Sequence, residues 1–209
     1  ALPIWSISPN LAVAESELEE IDRWALAKLD QLIARAIRGY EEYEFHRVYQ
    51  FANAFCVEMS AAYLDVVKDR LYCSGPNDAT RRAAQTALWD MFSALARLMA
   101  PIMPFTCDEA WESAHGEGAS VHLQDFPAPG RQEPDEAFMA RWDRFAAIRE
   151  IVARRLEEAR RDKRIGASLD AAVTLRVRDA ALYDALKDEN ETLRGIFIVS
   201  RCAIEPSNR

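Results

Sequence analysis

The chain has 209 residues, half of them hydrophobic and only seven of them glycine, so it can bury a real core as one helical domain or as a domain with an appendage. Its four cysteines, Cys56, Cys73, Cys107 and Cys202, are scattered without a C-x-x-C pair; this indicates neither a zinc ribbon nor a disulfide framework and makes a reducing cytoplasm the expected compartment. A net charge of -8 argues at first sight against a nucleic-acid partner, and no apolar run is long enough to span a bilayer.

The opening Ala1-Leu2-Pro3-Ile4-Trp5 lacks a basic segment and is broken by proline, so no signal peptide is expected there. Ser16-Glu17-Leu18-Glu19 reads as a capping box that opens a helix running to about Tyr40, with Arg35 and Arg38 toward its end and Gly39 near its stop. From Phe45 to Tyr72, Phe45, Val48, Ala52, Phe55, Met59, Ala62 and Val66 recur at steps of three and four, which predicts one long helix with a buried face. Tyr49, Cys56 and Tyr63 form its second flank, and Lys68-Asp69-Arg70 its polar end. After the turn cluster Ser74-Gly75-Pro76-Asn77, a third helix should carry Ala84, Leu88, Met91, Leu95, Leu98 and Met99 inward and end before Pro101.

Thr106-Cys107-Asp108-Glu109 reads as a second capping box, for a short helix through Trp111 that His115-Gly116 ends. Ser120 to Pro127 alternates like an extended segment, and Pro127-Ala128-Pro129-Gly130 marks a linker, dividing the chain at 129/130. Beyond it a long helix has Phe138, Trp142, Phe145, Val152, Leu156 and Ala159 as its seam and is broken by Gly166. Val173, Leu175 and Val177 then alternate as a half-buried strand, and a helix around Leu182–Leu193 and a strand at Ile196–Ala203 complete a small α/β appendage. The expected fold class is mainly α.

The charge is unevenly placed. Residues 141–164 hold nine bases (Arg141, Arg144, Arg149, Arg154, Arg155, Arg160, Arg161, Lys163, Arg164) against five acids, a local excess of +4 on a body of -12. Two readings stand side by side: a solvated face laced with pairs such as Glu150-Arg154 and Glu157-Arg161, or a surface for phosphates. Cys107, His115 and His122 fall within one stretch without the spacing of metal ligands, and His46 lacks the company of a nucleophile or a carboxylate pair. Trp24, Trp89 and Trp111 sit beside apolar seams and read as core. Lys68 and Arg70 suit either a phosphate or their own helix dipole.

Several motifs occur together in a fixed order: Asp22-Arg23-Trp24-Ala25-Leu26, Phe45-His46, Tyr63 through Tyr72 (YLDVVKDRLY), Ala100-Pro101-Ile102-Met103-Pro104-Phe105-Thr106 with Asp108-Glu109 and Trp111, Ser120-Val121-His122-Leu123, and Lys163-Arg164-Ile165-Gly166-Ala167-Ser168-Leu169. In that order and spacing the chain resembles bacterial-type isoleucyl-tRNA synthetases from about Glu19 to its end. Valyl-, leucyl- and methionyl-tRNA synthetases share the helical architecture and the corner at Pro104-Phe105-Thr106, while Lys68-Asp69-Arg70-Leu71-Tyr72 is similar to the isoleucyl branch in particular. The stretch Ala1–Ala14 does not match well.

The resemblance implies a fragment: a helical-bundle anticodon-binding domain over 1–129, then a long basic helix with a small α/β region over 130–209. It implies binding to the stem and loop of an isoleucine-accepting tRNA, alongside catalytic and editing domains of the same polypeptide, with no membrane role. The ATP-binding signatures are absent from the sequence, as is the paired-cysteine zinc module, so ATP with magnesium and zinc are expected only in other domains, and no catalytic residue is assigned. The candidate tRNA contacts are Arg160, Arg161, Lys163 and Arg164 at the turn before Gly166, then Lys68, Arg70, Arg35 and Arg38. The alternatives are the corresponding valyl domain and an acidic helical interaction module without an RNA role.

Overall fold

The computed structural model describes residues 12–130 and 135–207, so the reading of Ala1–Trp5 and most of the unmatched stretch Ala1–Ala14 falls outside it. The chain is mainly α and forms two compact units, Ala1–Met139 and Ala140–Arg209.

In the first unit, helix α1 (Glu20–Glu41) starts later than Ser16 would place it. Glu15–Glu17 form a short 3-10 turn, and the box that closes is Glu19 with Asp22, the Glu19 amide donating to Asp22 Oδ2 at 3.2 Å. Asp22 is already ordered from its other side by Tyr63 and Arg70, which favours this start over one at Ser16. Gly39 does not end the helix. It is buried within α1, where a Cβ would lie 2.8 Å from Val48 Cγ2, so the missing side chain lets α2 (Phe45–Met59) approach closely. The stop is made by Tyr43 at φ 57°, with the Glu44 amide donating to the Gly39 carbonyl at 2.7 Å and that of Tyr43 to Tyr40 at 3.1 Å, a Schellman closure without glycine.

The helix expected over 45–72 contains a π-helical turn, Ser60–Leu64, joining α2 to α3 (Asp65–Cys73). Val48, Ala52, Phe55, Met59 and Ala62 are buried as their spacing predicts. The wide turn then rotates the stripe by one position, so Tyr63 and Val67 are fully buried and Val66 is only half-buried. Phe45 is 49% exposed, and Tyr49 and Cys56 also lie at the surface, leaving Tyr63 as the core member of the expected second flank.

Helix α4 (Ala79–Met99) is capped by Asp78, which accepts from the amides of Thr80 and Arg81 at 2.9 and 3.2 Å, and it stops before Pro101 as expected. Its inward face is carried by Ala84, Met91, Leu98 and Met99, with Leu88 and Leu95 half-buried. Helix α5 (Pro104–His115) begins at proline, an N1 residue by its fixed φ and missing amide hydrogen, so Thr106 and Asp108 lie inside the helix rather than forming its cap. Asp108 instead accepts from Ser120 Oγ at 2.7 Å and from the Val121 amide at 3.0 Å, pulling Val121–Leu123 into a 3-10 turn where an extended segment was expected. Helix α1 packs on α2 and α4, and α4 on α3 and α5, with Trp24 and Trp111 buried and Trp89 half-buried.

Helix α6 (Glu136–Arg161) carries its seam through Trp142, Phe145, Val152 and Leu156, all buried. It ends before Gly166, at Lys163 with φ 57°; the Arg164 amide donates to Ala159 at 2.9 Å and that of Lys163 to Arg160 at 3.0 Å. In β1 (Ala172–Val177), Val173, Leu175 and Val177 are half-buried, matching the alternation. The single helix expected next is two, α7 (Ala180–Leu186) and α8 (Asn190–Phe197). Leu193, Ile196 and Phe197 are spaced for a helix, so Ile196 and Phe197 finish α8 instead of opening a strand. Ile198 at φ 57° closes it, and β2 (Arg201–Pro206) pairs parallel to β1, Ala172 opposite Arg201 and Val177 opposite Pro206.

Candidate nucleic-acid interface

The two cations at the end of α3 have different fates. Asp22, 0% exposed, accepts from Tyr63 Oη at 2.7 Å and takes both arms of Arg70, Nη1 to Oδ2 at 3.0 Å and Nη2 to Oδ1 at 2.5 Å. Burial lowers the proton affinity of the Arg70 guanidinium, but the hydrogen bond and charge of Asp22 outweigh it, so the pair is ionic. Burial first, and the adjoining Asp22 carboxylate second, push the Tyr63 hydroxyl well above the ordinary tyrosine range. Arg70 thus ties α3 to the start of α1. Lys68 is exposed beside it and pairs with Asp65 Oδ1 at 2.6 Å, within its own helix.

At the end of α6, Arg160 pairs with Glu157 and reaches Ser168 Oγ at 3.0 Å, while Arg164 lies 3.4 Å from Asp162. Glu157 therefore takes the arginine three residues on, not the Arg161 expected from the sequence. Arg154 pairs with Glu150 at 3.2 Å, and Arg155 with Glu158 at 2.8 Å, the hydrogen bond from Arg155 holding the Glu158 carboxyl below its usual range. Two of the nine bases leave the ridge altogether. Arg141 grips Glu189 at 2.8 and 3.0 Å, and Arg149 is buried, donating to the Ile196 carbonyl. No hydrogen bond or ion pair closes on the side chain of Arg161 or Lys163 among the described residues, and both are exposed.

The third group stands at the other end of the bundle, where α1 turns into α2. Arg35 places its Cζ 3.9 Å from the centroid of the Phe51 ring, and Arg47 places its own 5.6 Å from the same ring. Arg35, Arg38 and Arg47 line a cavity of about 240 Å³ whose remaining wall includes Gly39, Glu42 and Glu44. Arg47 is ion-paired with Glu44. Arg47 and Phe51 carried no signal in the sequence reading, because the first reads as an exposed base and the second lies off the apolar stripe.

The metal and catalytic candidates do not converge. His115 Nδ1 lies 3.0 Å from the Trp111 carbonyl and its ring stacks on Trp111 at 3.9 Å, Cys107 is buried with its thiol pKa raised by that burial, and His122 is exposed. Among the described residues no group of three His, Cys, Asp or Glu side chains could hold a metal ion. No helix among them is long and apolar enough to cross a membrane.

Comparison with known proteins gives the surface a context. Residues 22–175 match the family model described as the anticodon-binding domain of tRNA ligase. The chain is 49% identical over 191 residues to the isoleucine-tRNA ligase of Desulfitobacterium hafniense strain DCB-2, covering 90% of this chain and 20% of that protein. It is 45% identical over 191 residues to the isoleucine-tRNA ligase of Syntrophotalea carbinolica, again covering 90% of this chain and 21% of the relative. For the isoleucine-tRNA ligase of Geobacillus thermodenitrificans the identity is 43% over 206 residues, with coverage of 96% and 22%. The chain spans about a fifth of the length of these relatives.

Proposed function

The chain belongs to the family of anticodon-binding domains of tRNA ligases, and from that premise we propose that it binds the anticodon arm of an isoleucine-accepting tRNA, as part of a longer enzyme that joins isoleucine to that tRNA with ATP. The observation that carries the isoleucine branch is identity of 43–49% to isoleucine-tRNA ligases over nine tenths of the chain or more. The enzyme's chemistry, with ATP, magnesium and zinc, resides in other domains, and the cytoplasm is where that enzyme works. Here the task is attachment. Arg160, Arg161, Lys163 and Arg164 meet phosphates of the stem, Lys68 and the pair Arg35 and Arg38 add further contacts, and Arg70 serves indirectly by fixing α3.

The test is a titration of the purified chain with an isoleucine tRNA and with a valine tRNA at low and moderate salt. A saturable complex that weakens with salt and favours the isoleucine tRNA is the expected result, because counterion release gives each phosphate contact a salt dependence. Absence of any saturable complex would return the chain to an acidic helical interaction module. Preference for the valine tRNA would assign it to the valyl branch.

A further inference from the structure

We infer that the turn between α1 and α2 is a seat for one phosphodiester and the adjacent unstacked base of a single-stranded RNA segment, the phosphate held by Arg35, Arg38 and Arg47 and the base stacked on Tyr43. The inference rests on the tRNA-binding reading and names which end of the bundle meets unpaired nucleotides.

Charge is one part of the argument. Arg35 and Arg38 make no hydrogen bond or ion pair among the described residues, although both face the same cavity of about 240 Å³. Arg35 is held by the Phe51 ring face at 3.9 Å, a contact that positions a guanidinium while leaving its N–H donors for another acceptor. Arg47 approaches the same ring, so three cations converge on one concavity of a chain that is acidic as a whole. Two carboxylates oppose them. Glu42 stands on the wall, and Glu44 is paired with Arg47, occupying the position on that guanidinium that a phosphate oxygen would take. The sum still favours an anion, and Glu44 sets how strongly.

The second part is a ring displayed against a local conformational preference. Tyr43 holds φ 57°, the left-handed conformation for which a helix closure of this kind ordinarily uses glycine, and the residue is 81% exposed. The Tyr43 ring meets Phe45 edge-on at 6.2 Å, Phe45 meets Tyr40 at 5.8 Å, and Tyr40 stacks on Phe126 at 5.2 Å. The Tyr40 hydroxyl anchors the series by donating to the Leu98 carbonyl at 2.6 Å. Tyr43 does not itself line the cavity, but its chain neighbours Glu42 and Glu44 do, so one turn of backbone carries both a cationic concavity and an outward ring, the two parts that a nucleotide's phosphate and base require. A duplex keeps its bases paired inside, so the ring can engage only an unpaired nucleotide.

The experiment uses the full chain, a synthetic hairpin carrying the anticodon stem and loop of an isoleucine tRNA, and a blunt duplex of the same stem. Wild type should bind the hairpin more tightly than the duplex. Replacing Arg35 and Arg38 together by Ala should weaken hairpin binding about tenfold or more and lower the salt slope by about 0.7, the share of one single-strand phosphate. Tyr43→Gly should raise the melting temperature, since glycine suits the closure, yet weaken hairpin binding roughly fivefold or more with duplex binding unchanged. Glu44→Gln should tighten binding, because it frees Arg47. Wild-type affinity in both the double variant and Tyr43→Gly would overturn this seat while leaving the tRNA-binding reading in place. No saturable binding by wild type would overturn both. Displacement of the hairpin by poly-glutamate with no effect of Tyr43→Gly would overturn the seat in favour of an acidic-peptide site.

Discussion

The helical bundle and the α/β unit place their arginines in opposite ways. In the bundle, Arg70 is held by the fully buried Asp22, whereas Arg35 and Arg38 at the far end of α1 form no ion pair among the described residues. In the α/β unit the long helix α6 looks basic by count, but Arg154, Arg155, Arg160 and Arg164 are each paired with a nearby carboxylate and Arg149 is buried. Availability to a phosphate thus follows pairing and burial rather than the local sum of charges. Among the described residues, six of the nine bases in the +4 segment are paired or buried, while an acidic chain still leaves Arg35 and Arg38 unpaired on one cavity.

The sharpest test of that contrast removes the buried partner. Asp22→Ala leaves the Arg70 guanidinium and the Tyr63 hydroxyl without their acceptor, and truncating one side of a buried pair costs about 3–5 kcal/mol. Urea unfolding followed by circular dichroism should show that loss. A change below about 1 kcal/mol would mean that water reaches the site and that the pair resembles the exposed ones of α6. Next in size is Gly39→Ala, expected to cost about 1–3 kcal/mol because the added Cβ would press on the stiff Val48 side chain at 2.8 Å, more than the helix gains from losing a glycine. The same variant should loosen the α1–α2 turn, so its hairpin affinity is worth measuring beside its stability.

The two units also differ in their response to pH. In the bundle, burial first and nearby Cys107 second push the Tyr40 hydroxyl up to about 12, and Tyr63 is raised as well. A raised folded pKa means stability that is fully present below about 10, the ordinary tyrosine value, and is lost as pH rises through the folded value. In the α/β unit, the hydrogen bond from Arg141 holds Glu189 below its usual range against the opposing effect of burial. That contribution is present above about 4.3 and is lost as pH falls through the depressed value. Alkaline unfolding should therefore begin in the bundle, with tyrosinate absorbance rising together with the loss of helix. Acid weakens the α/β unit through Glu189, and the bundle too through Asp108 and Asp78, which are lowered by hydrogen bonds from Ser120 and Thr80 respectively. Ionisation of all six tyrosines, Tyr40 and Tyr63 included, with full helicity retained would contradict the bundle's half of this comparison.

Much of this architecture could be read from residue order. The apolar stripes at steps of three and four locate α2, α4 and α6, the Ser16–Glu19 box and the flanking charges locate α1, and the alternation of Val173, Leu175 and Val177 locates β1. Three kinds of feature could not be read. The π turn at Ser60–Leu64 has no residue signature, so the switch from Val66 to Val67 as the inward residue was hidden. The closures at Tyr43, Lys163 and Ile198 place ordinary side chains where glycine was sought, which shifted the expected ends of α1 and α6 onto Gly39 and Gly166. The third kind is long-range pairing. Nothing in Asp22 or Arg70 announces a contact across 48 positions, and nothing in Phe51 announces the arginine lying on its face. Arg35 and Arg38 were legible as cations, but their lack of a partner belongs to the fold.

The smallest expected effect on stability is also the most informative about α6. Replacing Arg160, Lys163 and Arg164 by Ala removes two exposed or half-exposed ion pairs and one unpaired cation, and such pairs contribute about 0–1 kcal/mol each because water screens them and two long side chains must be held still. The melting temperature should therefore barely move. Affinity for tRNA should fall more than stability does, since each phosphate contact releases counterions, but less than for the double change of Arg35 and Arg38. Of the three replaced on α6 only Lys163 is unpaired among the described residues, and a phosphate meeting Arg160 or Arg164 must first displace Glu157 or Asp162, whereas the double change at the α1–α2 turn removes two guanidiniums that are already unpaired. The comparison is one salt series run on both variants. If the α6 variant loses more affinity and more salt slope, intrahelical pairing does not hold its arginines back, and the ridge rather than the turn is the principal RNA surface.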